Sequence, residues 1–230
     1  MGYIKDLREE IALIRERDPA IHSDIEVFLY PSFRVMRYYR RAHKHYLKGH
    51  YFRARYLSQR GVRKTGIEIH PGAQIGKGLF IDHGAGVIIG ETTIIGDNVT
   101  LYQGVTLGGN GKEQGKRHPT IGNNVMISSG AKILGSFTIG DNSKIGAGSV
   151  VLEEVPPGST VVGVPGRVVK RIDPDHPQDK LDHVHLPDPV RQDITNLQQA
   201  NSALTNRLLE LEQEMREVSK KLEAVNNSEG

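Results

Sequence analysis

The sequence lacks cysteine and tryptophan altogether, and only 6% of its 230 residues are aromatic. Without cysteine there are no disulfides, no thiolate metal sites and no cysteine nucleophile. Few aromatics and 26 glycines indicate thin, repetitive packing. No apolar run approaches the ~18 residues of a membrane span. The start, MGYIKDLREE, has no apolar signal region, and Asp6 breaks the myristoylation pattern. These absences predict a soluble, cytoplasmic protein.

Charge is distributed unevenly along the chain, although the net charge is only +3. Residues 27–67 contain eleven Lys and Arg and no acid, whereas residues 172–230 contain six basic and twelve acidic residues. The basic stretch is typical of a surface that binds nucleic acid or membrane, or of the border of a pocket for a phosphorylated ligand. It equally fits a solvated helix face, and both interpretations stay open at this point.

The middle of the chain repeats every six residues. Twelve of the thirteen positions in this series are β-branched aliphatics, and the remaining one is a threonine. The positions are Ile69, Ile75, Ile81, Val87, Thr93, Val99 and Val105, followed after an interruption by Ile121, Ile127, Ile133, Ile139, Ile145 and Val151.

This period predicts a coil of short strands in which each hexapeptide forms one flat side and points its aliphatic residue inward. A period of six keeps no single face of an α-helix, and a sandwich or propeller would space its strands by 8–12 residues. Such a coil stacks a narrow aliphatic column, which explains the scarcity of aromatics. At 18 residues per turn, residues 69–168 give about five coils.

The repeat is interrupted over residues 108–120, GGNGKEQGKRHPT, which predicts a loop ejected from the solenoid. The loop is either functional or a tolerated surface insertion. Within the coils, Glu91 is interpreted as a corner residue. The polar residues that the repeat does not explain are Glu68, His70, Asp82, His83, Arg117 and His118.

Both ends of the chain predict helices. Residues 3–60 show apolar spacing of three and four, with a break at Tyr30-Pro31. Residues 191–226 carry apolar residues from Ile194 to Val225 at alternating spacings of three and four, with Asn201 as a polar a position. This pattern predicts a coiled coil, and a helix packed on its own solenoid is the alternative. The predicted segments are a helical region 1–66, a solenoid 67–171, a Pro-, Asp- and His-rich linker 172–190 and a coiled-coil helix 191–226.

Several motifs resemble the serine O-acetyltransferase family over residues 1 to about 170. They are IEIHPGAQIGKGLFIDHGAGVIIGET, TLYQGVTLGG, KRHPTIGNNVMISSGAKILG, IGAGSVV and VPGRVV, together with RDPA and FLYPSF near the start. The resemblance implies an α+β fold in which helices precede a left-handed parallel β-helix. It also implies acetyl transfer from acetyl-CoA to the hydroxyl of L-serine by direct attack in a ternary complex, the first step of cysteine biosynthesis.

The resemblance also implies roles for individual residues. His83 matches the general base, and Glu68 matches a carboxylate that orients its imidazole. Asp18 and Asp82 match acids that hold the serine amino group. Arg117 and His118 match residues that grip the serine carboxylate, and His118 is also placed with the catalytic residues. The positions that match the CoA groove are Gly109, Ser129, Gly130, Lys144 and Ala147.

The inventory of residues agrees with direct transfer, because there is no G-x-S-x-G elbow and no obvious nucleophile for an acyl-enzyme. Backbone N–H groups at Gly108–Gly109 are a candidate oxyanion hole. No permanently bound cofactor is expected, and acetyl-CoA acts as cosubstrate. His183 and His185 lack a fixed third ligand, so no metal site is predicted.

In the family the helical region forms the interface between two trimers, so the resemblance implies a trimer or a dimer of trimers for this chain. It also implies L-cysteine as a feedback inhibitor that occupies the serine site. The family's complex with the sulfhydrylase uses a C-terminal Ile, whereas this chain ends Asn-Ser-Glu-Gly, which argues against a cysteine synthase complex. No nucleic-acid or membrane partner is expected.

Two other functions remain open at the level of sequence. A catalytically inactive scaffold would combine the solenoid, the basic helices and the coiled coil. An acyltransferase for another acceptor, such as homoserine or a sugar amine, would retain the CoA site and act poorly on serine. The intact set of Glu68, Asp82, His83, Arg117 and His118 favours the enzyme over the scaffold.

Overall fold

The computed structural model describes residues 2–18, 20–111, 114–171 and 189–226. Three helices, α1 (Gly2–Arg17), α2 (Pro31–Leu47) and α3 (Tyr51–Thr65), precede the strands, and a short 3-10 helix covers Glu26–Leu29. Pro31 occupies the first turn of α2, where its missing N–H costs no hydrogen bond. Gly66 ends α3 in the left-handed conformation, with φ of 71°.

Fifteen short strands follow in the described residues. They are β1 (Glu68–Ile69), β2 (Gln74–Ile75), β3 (Phe80–Ile81), β4 (Ile88–Ile89), β5 (Ile94–Ile95), β6 (Thr100–Leu101), β7 (Thr106–Gly108), β8 (Thr120–Ile121), β9 (Met126–Ile127), β10 (Lys132–Leu134), β11 (Thr138–Ile139), β12 (Lys144–Ile145), β13 (Val150–Val151), β14 (Ser159–Val162) and β15 (Arg167–Arg171).

The strands form three sheets that are the three sides of a parallel β-helix. The first sheet has the order β1-β4-β7-β10-β13, the second β2-β5-β8-β11 and the third β3-β6-β9-β12-β14. Every third strand pairs in parallel, so the chain completes one coil before it returns to the same sheet. The strand β15 pairs antiparallel with β14 and ends the third sheet. The predicted α+β class, with helices preceding a parallel β-helix of about five coils, is confirmed.

The core is a narrow column of stacked aliphatic side chains. In the first sheet Ile69, Ile89, Leu107, Ile133 and Val151 lie in register, and all are almost completely buried. Burying one such side chain contributes roughly 1.5–3 kcal/mol. The column therefore stabilises the fold without large aromatics.

The sixfold series correctly predicts inward-facing residues in its second segment, at Val87, Thr93, Val99 and Val105, but these residues are not the ones that lie in strands. All four are buried, but each precedes a strand, and the strand positions are two residues further on. Each hexapeptide has two inward-facing positions, one just before the strand and one within it. The two positions carry similar residue types, so spacing alone does not distinguish them. The shift arises because eight positions, rather than six, separate Ile81 from Ile89. The two extra residues lie at the turn that contains Asp82 and His83.

The helices cap the first coil and pack beside it. Tyr39 of α2 donates its hydroxyl hydrogen to the Ala73 carbonyl at 2.6 Å, and Ser58 of α3 donates to the Ile69 carbonyl at 2.8 Å. A second apolar cluster of Ile14, Val27, Phe33 and Phe80 joins α1, the 3-10 helix and α2 to β3. This cluster brings the C-terminal end of α1 close to the turn that follows β3.

The chain ends in a fourth helix, α4 (Pro189–Asn226), which belongs to a compact unit of its own. It begins two residues before the predicted start of the coiled coil. Most of the predicted linker, including His183 and His185, lies outside the described residues, as do the last four residues. No helix in the described part of the chain is both long and apolar enough to cross a membrane.

Candidate active site

Four of the polar residues selected from the sequence, Asp82, His83, Arg117 and His118, lie at two corners of the β-helix, at opposite edges of the first sheet. We call residues 82–86 the His83 corner; they connect β3 of the third sheet to β4 of the first. Residues 90–92 connect β4 to β5 of the second sheet, and residues 116–119 return the long loop to β8 of the same sheet. We call these two segments together the Arg117 corner.

The His83 corner presents an imidazole beside a carboxylate. His83 adopts a left-handed backbone with φ of 54°, and its side chain is 79% exposed. Its Nε2 atom lies 3.9 Å from Oδ1 of Asp82, whose side chain is 26% exposed. A positive φ is uncommon for a residue with a Cβ, and it persists only where the surrounding structure enforces it. The two-residue insertion therefore holds His83 outward from the coil.

Asp18 reaches this corner from the end of α1. Its carboxylate accepts a hydrogen bond from the Tyr30 hydroxyl at 2.6 Å and another from the Ala20 N–H at 2.8 Å. These two bonds lower the pKa of Asp18, and the nearby His83 adds a small electrostatic contribution in the same direction. The same Tyr30–Asp18 bond is the main cause that raises the pKa of Tyr30 to about 12. Asp18 is thus kept ionised beside His83.

Glu68 lies in the coil directly below the His83 corner. Its backbone N–H donates to the Val87 carbonyl at 2.8 Å, and its strand position pairs with Ile88. The carboxylate that the structure places beside the His83 ring is that of Asp82. The predicted orientation of His83 by Glu68 therefore stays a prediction.

Three predicted CoA positions lie in the same column of corners as His83. Ser129 and Gly130 form the turn between β9 and β10, and Ala147 belongs to the turn between β12 and β13. Gly109 lies instead next to the Arg117 corner, where a Cβ would come within 2.9 Å of the Arg117 carbonyl oxygen. Lys144 lies in the third sheet and pairs with Met126.

The Arg117 corner is a hydrogen-bonded cluster built around Thr92. The Thr92 hydroxyl oxygen accepts hydrogen bonds from the backbone N–H groups of Arg117 at 3.0 Å and His118 at 3.1 Å. The ammonium of Lys116 donates to the Thr92 carbonyl at 2.9 Å. Thr92 thereby fixes the end of the loop to the preceding coil, a role that the sequence did not reveal.

The hydrogen bonds around His118 favour the tautomer with its proton on Nε2. The backbone N–H of Thr92 donates to His118 Nδ1 at 3.2 Å, so Nδ1 acts as an acceptor. Burial, followed by the charge of Arg117, lowers the pKa of His118. The ring lies against Gly90 so closely that a Cβ there would overlap it. The Nε2–H group remains as a hydrogen-bond donor.

Arg117 is oriented by a carboxylate that the sequence suggested was only a corner residue. Glu91 Oε2 lies 2.5 Å from Arg117 Nη2, and Glu91 Oε1 accepts a hydrogen bond from Tyr46 of α2 at 2.9 Å. Both bonds lower the pKa of Glu91. The ring of His70 packs edge-on against Tyr46, and burial is the main cause that lowers its pKa. Tyr46, His70, Glu91 and Arg117 together link α2 to the end of the long loop.

Comparison with known proteins identifies the family of the chain. The sequence profile of the bacterial transferase hexapeptide family (six repeats) matches residues 118–153. A serine acetyltransferase from Staphylococcus aureus is 54% identical over 199 residues, covering 86% of this chain and 92% of that protein. One from Bacillus licheniformis is 50% identical over 219 residues, covering 93% and 96%. The chain belongs to the serine acetyltransferase family.

Solved structures of serine acetyltransferases share the fold. The enzyme from Neisseria gonorrhoeae in complex with serine is 44% identical, with a TM-score of 0.69 over 73% of this chain and 69% of that one. The Brucella abortus enzyme in complex with coenzyme A is 43% identical, with a TM-score of 0.71 over 74% and 69%. A serine acetyltransferase complex with cysteine is 41% identical, with a TM-score of 0.71 over 75% and 67%. This chain is therefore an acyltransferase, and its family uses acetyl-CoA.

Proposed function

We propose that this chain transfers the acetyl group of acetyl-CoA to the hydroxyl of L-serine and releases O-acetyl-L-serine and CoA, the first step of cysteine biosynthesis. The observation that carries this proposal is the charge pattern of the two corners. Asp18 and Asp82 offer carboxylates to an ammonium group, whereas Arg117 offers a guanidinium to a carboxylate. An amino-acid zwitterion with a side-chain hydroxyl complements that pattern.

In the proposed mechanism His83 acts as a general base. Its imidazole accepts the serine hydroxyl proton while the serine oxygen attacks the thioester carbonyl carbon. The resulting tetrahedral oxyanion collapses, the C–S bond breaks and the leaving thiolate takes the proton from the imidazolium. Asp82 and Glu68 stabilise the imidazolium charge, and backbone N–H groups near Gly108–Gly109 stabilise the oxyanion.

The two corners of one chain lie at opposite edges of the first sheet, so we assign the complete site to two copies. The His83 corner of one copy faces the Arg117 corner of the next, and the same contact repeats around a ring. A head-to-tail contact of this kind closes when the rotation between copies completes a circle. Trimers, the arrangement that the family resemblance implies, are the ring we propose.

The cosubstrate is proposed to lie along the column of corners above His83. Ser129, Gly130 and Ala147 are small, so the backbone of that column is accessible to a pantetheine arm. Lys144 and Gly109 are the remaining proposed contacts, with Lys144 near phosphate. The Brucella abortus complex with coenzyme A supports this class of ligand.

L-cysteine is proposed to occupy the serine site as an inhibitor. Cysteine carries the same ammonium and carboxylate as serine, so both corners would bind it. The solved complex of a serine acetyltransferase with cysteine supports this proposal.

The deciding experiment measures CoA release from acetyl-CoA with L-serine, homoserine and glucosamine as acceptors. We expect serine to give the highest kcat/KM, because only an α-amino acid of this length presents its ammonium, carboxylate and hydroxyl together to both corners. Release of CoA with homoserine or glucosamine but not with serine would show that the chain is an acyltransferase for a different acceptor. An assembled protein that releases no CoA with any acceptor would overturn the proposal in favour of a scaffold.

A further inference from the structure

The C-terminal helix α4 exposes a continuous apolar stripe. It contains 38 residues, a length of about 57 Å at 1.5 Å per residue. Its larger apolar side chains are exposed, at 50% for Ile194, 69% for Leu197, 66% for Leu204, 62% for Leu208, 40% for Leu211 and 72% for Met215. A helix in water takes most of its stability from burying such a face, so this stripe requires a partner.

The spacing of the stripe identifies the kind of partner. The apolar positions alternate intervals of three and four residues, which is the 3.5-residue period of a left-handed coiled coil. A helix that packs on a globular core carries a broader apolar face with a period near 3.6. The partner is therefore another helix with the same repeat.

Asn201 defines the direction and register of that partner. It occupies an a position near the N-terminal end of the stripe, the third of its ten positions. In a parallel, in-register bundle of identical helices its amide meets the same amide of the neighbouring helix, so that donors and acceptors are paired. In an antiparallel pair the amide would face an apolar residue near the other end of the helix and remain unpaired.

Charge next to the stripe agrees with the parallel arrangement. Arg207 is a g position and Glu212 is the following e position, and these two positions face each other between adjacent parallel helices. Within one helix Arg207 already pairs with Glu210 at 2.9 Å, which places its guanidinium on the polar side of the stripe. Copies related by rotation in a ring also direct their tails the same way.

We propose that α4 binds the α4 helices of the other copies in the same ring as a parallel, in-register coiled coil. This inference rests on the ring assembly proposed above and adds the element that holds it together at low protein concentration. The occupant of the apolar stripe is a second copy of this chain.

The absence of cysteine allows a direct test of direction in the full-length protein. Ile194→Cys and Met215→Cys each place one thiol at an a position, and Gln213→Cys places a control thiol on the exposed outer face. Under mild oxidation we expect Ile194→Cys chains to form interchain disulfides with one another, and Met215→Cys chains to do the same. We expect no interchain disulfide for Gln213→Cys. A mixture of Leu204→Cys and Met215→Cys that forms mainly the mixed disulfide would show antiparallel pairing and overturn the proposal, as would equal cross-linking of all three single variants.

A second test measures what the coiled coil contributes to assembly. The double variant Leu204→Asp/Leu208→Asp places two charges in the stripe, and Ser202→Asp/Asn206→Asp places the same charges outside it. By sedimentation we expect the stripe variant to dissociate at a protein concentration at least about tenfold higher than the parent, equivalent to 1.4 kcal/mol or more. The control should match the parent. An unchanged midpoint for the stripe variant would overturn the proposal, whether or not the protein acetylates serine.

Discussion

The two corners of the first sheet differ in how firmly they hold their side chains. His83 projects from a positive-φ turn, is 79% exposed and touches Asp82 only at 3.9 Å. Arg117 and His118 are anchored by Thr92 and Glu91 through hydrogen bonds of 2.5–3.2 Å. The difference indicates a division of labour. In the proposed mechanism, one corner is preorganised to hold a substrate carboxylate, and the other leaves its base accessible to a substrate and a neighbouring copy.

The comparison predicts that the exposed corner carries the chemistry. His83→Ala should lower kcat by about 10²–10⁴-fold, because removal of a general base costs that much. KM for acetyl-CoA and the size of the assembly should remain unchanged, because the side chain is exposed and packs little. Steady-state kinetics with sedimentation provide the measurement. Activity within threefold of the parent would exclude His83 as the base.

The anchored corner should control serine binding. Arg117→Ala should raise KM for serine by about 10- to 100-fold, because a charge-assisted hydrogen bond contributes roughly 1.5–3 kcal/mol. Arg117→Lys should recover part of this loss, since it keeps the charge without the guanidinium fork. KM for acetyl-CoA is the internal control. A parallel rise in both KM values would indicate general damage to the site.

Thr92 should act through the position of its neighbours. Thr92→Val keeps the shape but leaves the N–H groups of Arg117 and His118 without their acceptor, so KM for serine should rise about 3- to 10-fold with kcat largely retained. Thr92→Ser should restore the parent value. Thr93 offers a matched control, because within the described residues its buried hydroxyl has no partner. Thr93→Val should leave the kinetics unchanged and match or exceed the parent in thermal stability.

A smaller effect concerns protonation of His118. Its pKa is lowered by burial and Arg117, whereas Glu91 acts in the opposite direction. In NMR titrations its imidazole should therefore titrate below the ordinary value of about 6.5, and Glu91→Gln should lower the midpoint further. Because the folded state binds fewer protons at this group, its contribution reduces stability as pH falls below about 6.5. A midpoint that rises in Glu91→Gln would contradict the geometry.

Much of the fold is predictable from the sequence because β-branched aliphatics recur with a fixed period. The sequence does not show which of the two inward positions of a hexapeptide lies in the strand, because the two positions are chemically alike. The turn at Asp82 and His83 marked the insertion, but only a comparison of paired strands shows the two extra residues. Local periodicity therefore specifies a β-helix better than it specifies the register of each coil.

The candidate site was predictable only in part. His83, Asp82, Arg117 and His118 stand out as polar residues that a solenoid does not require, and a family resemblance supplied their roles. Thr92 and Glu91 were missed because they look like ordinary corner residues. Their partners lie about 25 residues further along and meet them only when the loop returns.

The central claim, that one active site combines corners from two copies, is tested most directly by mixing two inactive variants. Differently tagged His83→Ala and Arg117→Ala chains are coexpressed, and assemblies that contain both tags are isolated. In a trimeric ring that contains both kinds of chain, one of the three sites pairs an intact His83 corner with an intact Arg117 corner, so we predict activity far above that of either variant alone. Mixed assemblies no more active than the two variants separately would contradict the account and place the whole site within one chain.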